Sequence, residues 1–442
     1  MKKRIIMWML AALLPVMVWG QTEKLIDGIY YKLYSSARQA IVSSPSNGYY
    51  SGVVTIPDGF TDDNITYSVT QIDSKAFYGC EGLTVVTLPS SIVKIGALAF
   101  QDCTNLEAIN FPDGLLEIDW QAFFGCSSLK RIIIPASVNS ISGDSFSGCT
   151  GLIAIDVLEG NETYDSRNGC NAIISTADNE LIQGCRETVI PSDVTSIGED
   201  AFSYMTNIIH VSVPEGVTIL KWGAFTGCNG LKSVTLPNSL TTIETYGFNY
   251  CVSLEEVSIG KGIITIDDLA FQNCTSLNVL KIYATVPPTI AADEDPFIIY
   301  GGSSFRNNIT LYVPQASVDA YKADSYWGQF KEVLPLPNKC ATPSITLVDG
   351  KVSCTCDTED VTFKTTISRE LTGNDVLVNG TYTIRVVASR EGYEDSDPVD
   401  YTVDMTEETV TMEGDVNGDG VVNAADAVRV ANIIMNNDGQ VE

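Results

Sequence analysis

One pattern recurs eight times along this chain, most often at a step of 23 residues: Ile-x-x-x-Ala-Phe-x-x-Cys-x-x-Leu-x-x-Val-x-Leu-Pro. The first full copy reads Ile72, Ala76, Phe77, Cys80, Leu83, Val86, Leu88 and Pro89. Phe77, Phe100, Phe123 and Phe146 keep the step, 56 residues then separate Phe146 from Phe202, and Phe225, Phe248 and Phe271 resume it. A unit this short cannot bury an apolar face alone, so stacked neighbours must build a continuous core. The expected fold class is therefore mainly β, a parallel solenoid.

Within each unit, Leu83-Thr-Val-Val-Thr-Leu88 and its equivalents alternate as a short strand. A proline ends it, because proline cannot donate to a ladder. This predicts one parallel strand per coil. Gly82, Asn105, Ser128 and their equivalents, two positions after the Cys, are small or turn-forming residues expected at a tight bend. Phe is expected inward as a stacked column, with Ala making room for the next coil. Residues 21–70 carry Ile29-Tyr-Tyr-Lys-Leu33 and a half-repeat, Val54-Thr-Ile56-Pro57, and read as an N-terminal cap. The array runs over 71–335 with an irregular insert near 158–190. Phe305 and Leu311-Tyr-Val-Pro314 keep fragments of the pattern, and Tyr321 to Trp327 is expected to form a short closing helix.

After Leu334-Pro-Leu-Pro337 the period ends. Ile345 to Cys354 reads as a hairpin turning at Asp349-Gly350, and with Val361-Phe-Lys and Tyr382 to Ala388 it predicts a small β-sandwich over 340–410. At the other end, Lys2, Lys3 and Arg4 precede an apolar run, Ile5 to Trp19, which reads as a secretory signal over 1–20. No Cys stands at the expected cleavage point for lipidation and no later stretch is apolar enough to cross a bilayer, so membrane attachment is expected only indirectly. Without the signal, 23 basic residues face 55 acidic ones, a net charge of about −32. Such a surface excludes nucleic acid and anionic membranes as partners and favours cations.

The repeat pattern resembles the BspA-like leucine-rich repeats of bacterial and protist surface proteins over about 25–335. The segment Asn161 to Ile174 is similar to the long irregular repeat of many members, while Met205 stands for Cys and Gly260 for Pro in single coils. The resemblance implies a curved right-handed solenoid, an extracellular or bacterial cell-surface location, and adhesion to, or recognition of, a host or microbial protein or glycan. If Leu83, Val86 and Leu88 point inward, alternation turns the intervening residues outward. The candidate ligand-binding face is then Asn110, Arg131, Ile133, Asp156, His210, Ser212, Thr235, Glu256 and Lys281. Ordinary solvated sheet surface is the alternative for each.

Catalytic chemistry has little to work with. His210 is the single histidine, which leaves no zinc cluster and no Ser-His or Cys-His pair. Ser145 falls in the Ala slot of the repeat and lacks the Gly two positions on that a hydrolase elbow needs. Carboxylates are abundant but show no recurrent pair. Seven of twelve cysteines, Cys80, Cys103, Cys126, Cys149, Cys228, Cys251 and Cys274, share one repeat position and are expected to be free thiols. Their coils lie about 4.8 Å apart, but parallel Cα–Cβ vectors suit a disulfide torsion poorly. Cys170 and Cys185 differ, because a hairpin turning near Asp178 would set them opposite one another. A disulfide or two thiols are both open there.

Over 413–437 the chain writes Asp415-Val-Asn417-Gly-Asp419-Gly420-Val421-Val-Asn423-Ala-Ala-Asp426. Oxygen ligands fall at loop positions 1, 3, 5, 9 and 12, Gly at 6 permits the sharp turn, and Val421 offers its carbonyl at 7, which is the spacing calcium requires. With the helical Ala424 to Met435 run, this resembles one half of a type I dockerin. The resemblance implies calcium as cofactor and a cohesin-like partner, although Ala424 and Ala425 fill the region dockerins present to a cohesin and no second loop follows Asn437. Two functions result: a non-enzymatic recognition protein, or a non-catalytic component of an extracellular polysaccharide-handling assembly docked through this tail.

Overall fold

The computed structural model describes residues 21–46, 48–291, 295–337, 342–348, 351–356, 362–369, 380–389, 396 and 398–405. The expected signal segment, 1–20, and the calcium loop and helix, 413–437, lie outside the described residues. The chain divides after Pro335 into two compact units.

The first unit is the parallel solenoid that the period requires, but each coil carries two strands where one was expected. The longer strands pair in parallel in three successive sheets: Leu83–Thr87 with Ala108–Ile109, Arg131–Ile134 with Ala154–Val157, and His210–Ser212 through Ser233–Leu236 and Glu256–Ile259 to Val279–Ile282. A second set of parallel strands, two or three residues long, stacks in two further sheets, Lys94–Ile95, Glu117–Ile118 and Ser140–Ile141 in one and Ile219–Leu220, Thr242–Ile243 and Thr265–Asp267 in the other. Pairs this short show no alternation, so pattern alone does not announce them.

The Ala-Phe segment closes the coil. Along it every second amide reaches the next coil: Leu98, Phe100 and Asp102 donate to the carbonyls of Trp120, Ala122 and Phe124 at 2.7–2.9 Å. Left-handed residues two before and two after the Phe turn these amides outward, as at Leu98, Asp102, Tyr246 and Tyr250. The strained positions therefore flank the Phe. They are not the bend after the Cys that composition picks out, since Gly82, Gly151 and Gly230 are absent from the left-handed set.

Inside, Phe77, Phe100, Phe123 and Phe146 stack with ring centroids 4.7–5.2 Å apart and planes within 6°. Phe202, Phe225, Phe248 and Phe271 form a second column at 5.0–5.3 Å. The coil step sets this face-to-face spacing, which isolated rings disfavour. The ladder cysteines are buried free thiols. From Cys103 onward each donates to the Phe carbonyl of the preceding coil, 26 residues back, at 3.0–3.2 Å. Burial pushes the Cys126, Cys228 and Cys251 thiols well above their ordinary range, so these serve as small apolar fillers with one weak hydrogen bond and not as nucleophiles.

Both columns are closed by side chains outside the repeat consensus. Strands Gln21–Ile26, Ile29–Tyr34 and Gln39–Ser43 form an antiparallel meander whose last strand joins the short-strand ladder through Ile65–Ile72. The Tyr50 ring sits 4.7 Å from Phe77. At the far end Phe297, which the pattern does not flag, extends the second column at 5.1 Å from Phe271, and Phe330 meets it edge-on at 5.4 Å. The closing helix is Val318–Ala323, earlier than expected, because Asp324 leaves helical geometry; Trp327–Gln329 is a separate 3-10 turn whose Trp327 Nε1 donates to Pro288 O at 2.8 Å.

The second unit contains the expected hairpin, Ser344–Val348 against Lys351–Thr355, and a three-stranded antiparallel sheet of Thr362–Arg369, Gly380–Ser389 and Val399–Met405.

Candidate ligand-binding face

Outward residues of the long strands line up in register rows because the ladder is parallel and the step constant. His210, Ser233, Glu256 and Val279 form one row, and Ser212, Thr235, Ser258 and Lys281 the next. Burial alternates as expected along Arg131–Ile134, with Arg131 and Ile133 exposed and Ile132 and Ile134 buried. The nine candidates do not share one sheet, however. Asn110 adjoins a three-stranded sheet, Arg131, Ile133 and Asp156 sit on a two-stranded one, and His210, Ser212, Thr235, Glu256 and Lys281 lie on a six-stranded one.

Their side chains are also partly committed to each other. Arg131 Nη2 lies 2.7 Å from Asp156 Oδ2, and Lys281 Nζ 3.0 Å from Glu256 Oε1, so each pair neutralises itself on the surface. His210 Nδ1 is 3.4 Å from Ser233 Oγ. Asn110 is corrected from ligand candidate to ladder piece: its Oδ1 accepts from Leu88 N at 2.8 Å and its Nδ2 donates to Leu88 O at 2.9 Å, extending the pairing where the strand Ala108–Ile109 stops. Ser145 is likewise structural, buried with its hydroxyl donating to Asp119 O at 3.1 Å. Among the described residues no group of three or more His, Cys, Asp or Glu side chains is arranged to hold a metal ion.

The insert breaks the face. Its hairpin, Ile173–Ser175 against Glu180–Gln183, forms as expected, but the cysteines are free thiols and not a bridge. The register shifts between Ile173 and Ile174, and continued from Ile173 opposite Gln183 it sets Cys185 opposite Asn171. A slip of one residue sends side chains to different faces. Cys185 Sγ accordingly points to Asn171 O at 3.4 Å, and Cys170 Sγ to Ala172 O at 3.8 Å.

After the hairpin the chain makes a truncated coil in which Gly184 takes the place of a Phe. Gly184 N donates to Ala201 O at 2.9 Å, the bond Phe residues make elsewhere, and the Phe202 ring lies against it so closely that a Cβ on Gly184 would stand 2.1 Å from Phe202 Cε1. The remainder of that coil, Thr188-Val189-Ile190-Pro191, does not pair with the following strand. A cavity of about 220 Å3 opens there, lined by Cys185, Thr188, Val189, Ile190 and Phe202 on one side and His210, Val211 and Ser212 on the other. Sequence reading named His210 and Ser212 but missed this cavity. Its one available signal was the 33 residues added to a single period.

These stacked coils define a leucine-rich-repeat solenoid. Residues 59–170 and 182–289 match the BspA type leucine rich repeat region in six copies, and the solenoid of this chain belongs to that family. Among solved structures, a leucine-rich repeat protein from Bacteroides ovatus is 25% identical, with 71% of this chain and 76% of that one covered and a TM-score of 0.43. The pneumococcal vaccine antigen PcpA is 20% identical over 71% and 98%, TM-score 0.49. A leucine rich cell surface protein from Faecalibacterium prausnitzii is 21% identical over 62% and 96%, TM-score 0.31. No curated protein matches the chain.

Proposed function

We propose that this is an exported, non-enzymatic recognition or adhesion protein that holds an extracellular protein or glycan on the outward face of its long-strand ladder, at a bacterial surface. The observation that carries this reading is the six-stranded sheet from His210–Ser212 to Glu332–Pro335, whose outward side chains stand in fixed rows on a rigid core. Preorganised rows lose little entropy on binding. Among the described residues no helix is long and apolar enough to cross a membrane. The mature chain, applied to glycan and extracellular-protein arrays with and without calcium, is expected to show a ligand. The Thr235→Arg, Lys281→Glu double variant is expected to weaken it about tenfold or more, the effect of disrupting one interface hot spot. Unchanged binding would place the ligand off this face.

The tail supports a second role, docking of the solenoid onto an assembly. The spacing of Asp415, Asn417, Asp419, Val421, Asn423 and Asp426 is the reason to assign it calcium. Titration calorimetry is expected to show uptake that the Asp415→Ala, Asp419→Ala double variant loses. Equal uptake by the variant would end the assignment.

A further inference from the structure

At the seam left by the insert, coils continue to stack on one side and part on the other. On the Ala-Phe side the seam is closed: Gly148 N donates to Ser203 O at 3.0 Å, Ser147 Oγ and Ser203 Oγ are 2.6 Å apart, and Asn207 Nδ2 donates to Thr150 O at 2.6 Å. On the long-strand side, among the described residues, His210–Ser212 pairs only with Ser233–Leu236, and Ala154–Val157 only with Arg131–Ile134. The cavity described above lies along the unpaired edge of His210–Ser212.

The direction of the backbone groups on that edge follows from the ladder. In a parallel pair, alternate residues turn both N–H and C=O to the same neighbour. Ile209 O accepts from Lys232 N at 3.2 Å, so Ile209 and Val211 serve the Ser233 side. His210 and Ser212 therefore turn their backbone donors and acceptors toward the open edge. Val189, which lines the cavity beside it, is 72% exposed. Burial pushes the Cys185 thiol up and keeps it neutral, and Arg186 at the mouth is paired with Glu187 at 2.7 Å.

We propose that this edge receives an extended polypeptide segment of the recognised partner as an added strand, with one of its side chains seated in the cavity. The inference rests on the reading of the long-strand face as the recognition surface, and it names the chemistry recognised there. Backbone donors and acceptors alternating at strand spacing are complemented in register by another extended peptide, whereas sugar hydroxyls carry no such period. A neutral, largely apolar cavity beside the edge selects an apolar side chain at one position of the segment.

The test uses the intact mature chain and a phage-displayed library of linear heptapeptides as the probe. Enriched peptides are expected to carry alternating apolar residues. They should lose about tenfold or more in affinity when alternate amides are N-methylated, the scale of one buried hydrogen bond left unmade. Ser212→Pro, which removes an outward N–H that pairs with no strand, is expected to weaken them equally while leaving the thermal midpoint in place. Val189→Asp, at an exposed rim position, gives the same reading should the proline variant fail to fold. Enriched peptides indifferent to N-methylation and to both variants would overturn the proposal. Failure to enrich any linear peptide, with array binding still lost in the Thr235→Arg, Lys281→Glu variant, would overturn the added strand while leaving the recognition face standing.

Discussion

Phe100→Ala is expected to destabilise the solenoid by about 3 to 5 kcal/mol, the range for emptying a buried phenylalanine site. Phe100 is fully buried between Phe77 and Phe123, at 4.7 and 5.1 Å, so both neighbours lose a stacked face at once. The coils have little means of closing the gap, because their spacing is fixed by amides bonded on either side: Phe77 N to Ala99 O and Phe100 N to Ala122 O, each at 2.7 Å. Its carbonyl also accepts the Cys126 thiol at 3.1 Å, so relaxation there would strip a hydrogen bond from the next coil. Denaturant unfolding monitored by far-UV circular dichroism reads the change. A midpoint equal to that of the parent chain would show that the column is not core.

Gly184→Ala is the converse case, an addition where no space exists. The new Cβ would stand 2.1, 2.4 and 2.8 Å from three atoms of the Phe202 ring, and that ring cannot retreat because Phe225 stacks behind it at 5.0 Å. Overpacking of this kind costs about 1 to 3 kcal/mol and at times more. The strain falls at the seam, so the expected signature is early loss of protection in hydrogen exchange over residues 180–212, ahead of the flanking coils. Protection identical to the parent across that stretch would show that the truncated coil does not pack on Phe202.

The period of 23 residues was enough by itself to determine a parallel solenoid, its Phe column, its buried thiols and the outward rows from His210 to Lys281. Each of these follows from repeating one packing problem at a constant step, where every coil has the same neighbours above and below. The calcium site proposed for Asp415 to Asp426 rests on ligand spacing alone, within twelve consecutive residues. Only tertiary structure decided what depends on a partner far along the chain. It showed the second ladder, whose strands are two or three residues long and exist because a neighbouring coil pairs with them. It turned Asn110 back onto Leu88, and it slipped the insert hairpin so that Cys185 faces Asn171 and not Cys170. It also recruited Tyr50 and Phe297 to the columns, because stacking rewards any ring that reaches the end of a row, whatever its place in the consensus. The open edge at His210–Ser212 belongs with these, since a strand's unpaired side is defined by where its neighbours are, and a lengthened period says only that the spacing has changed.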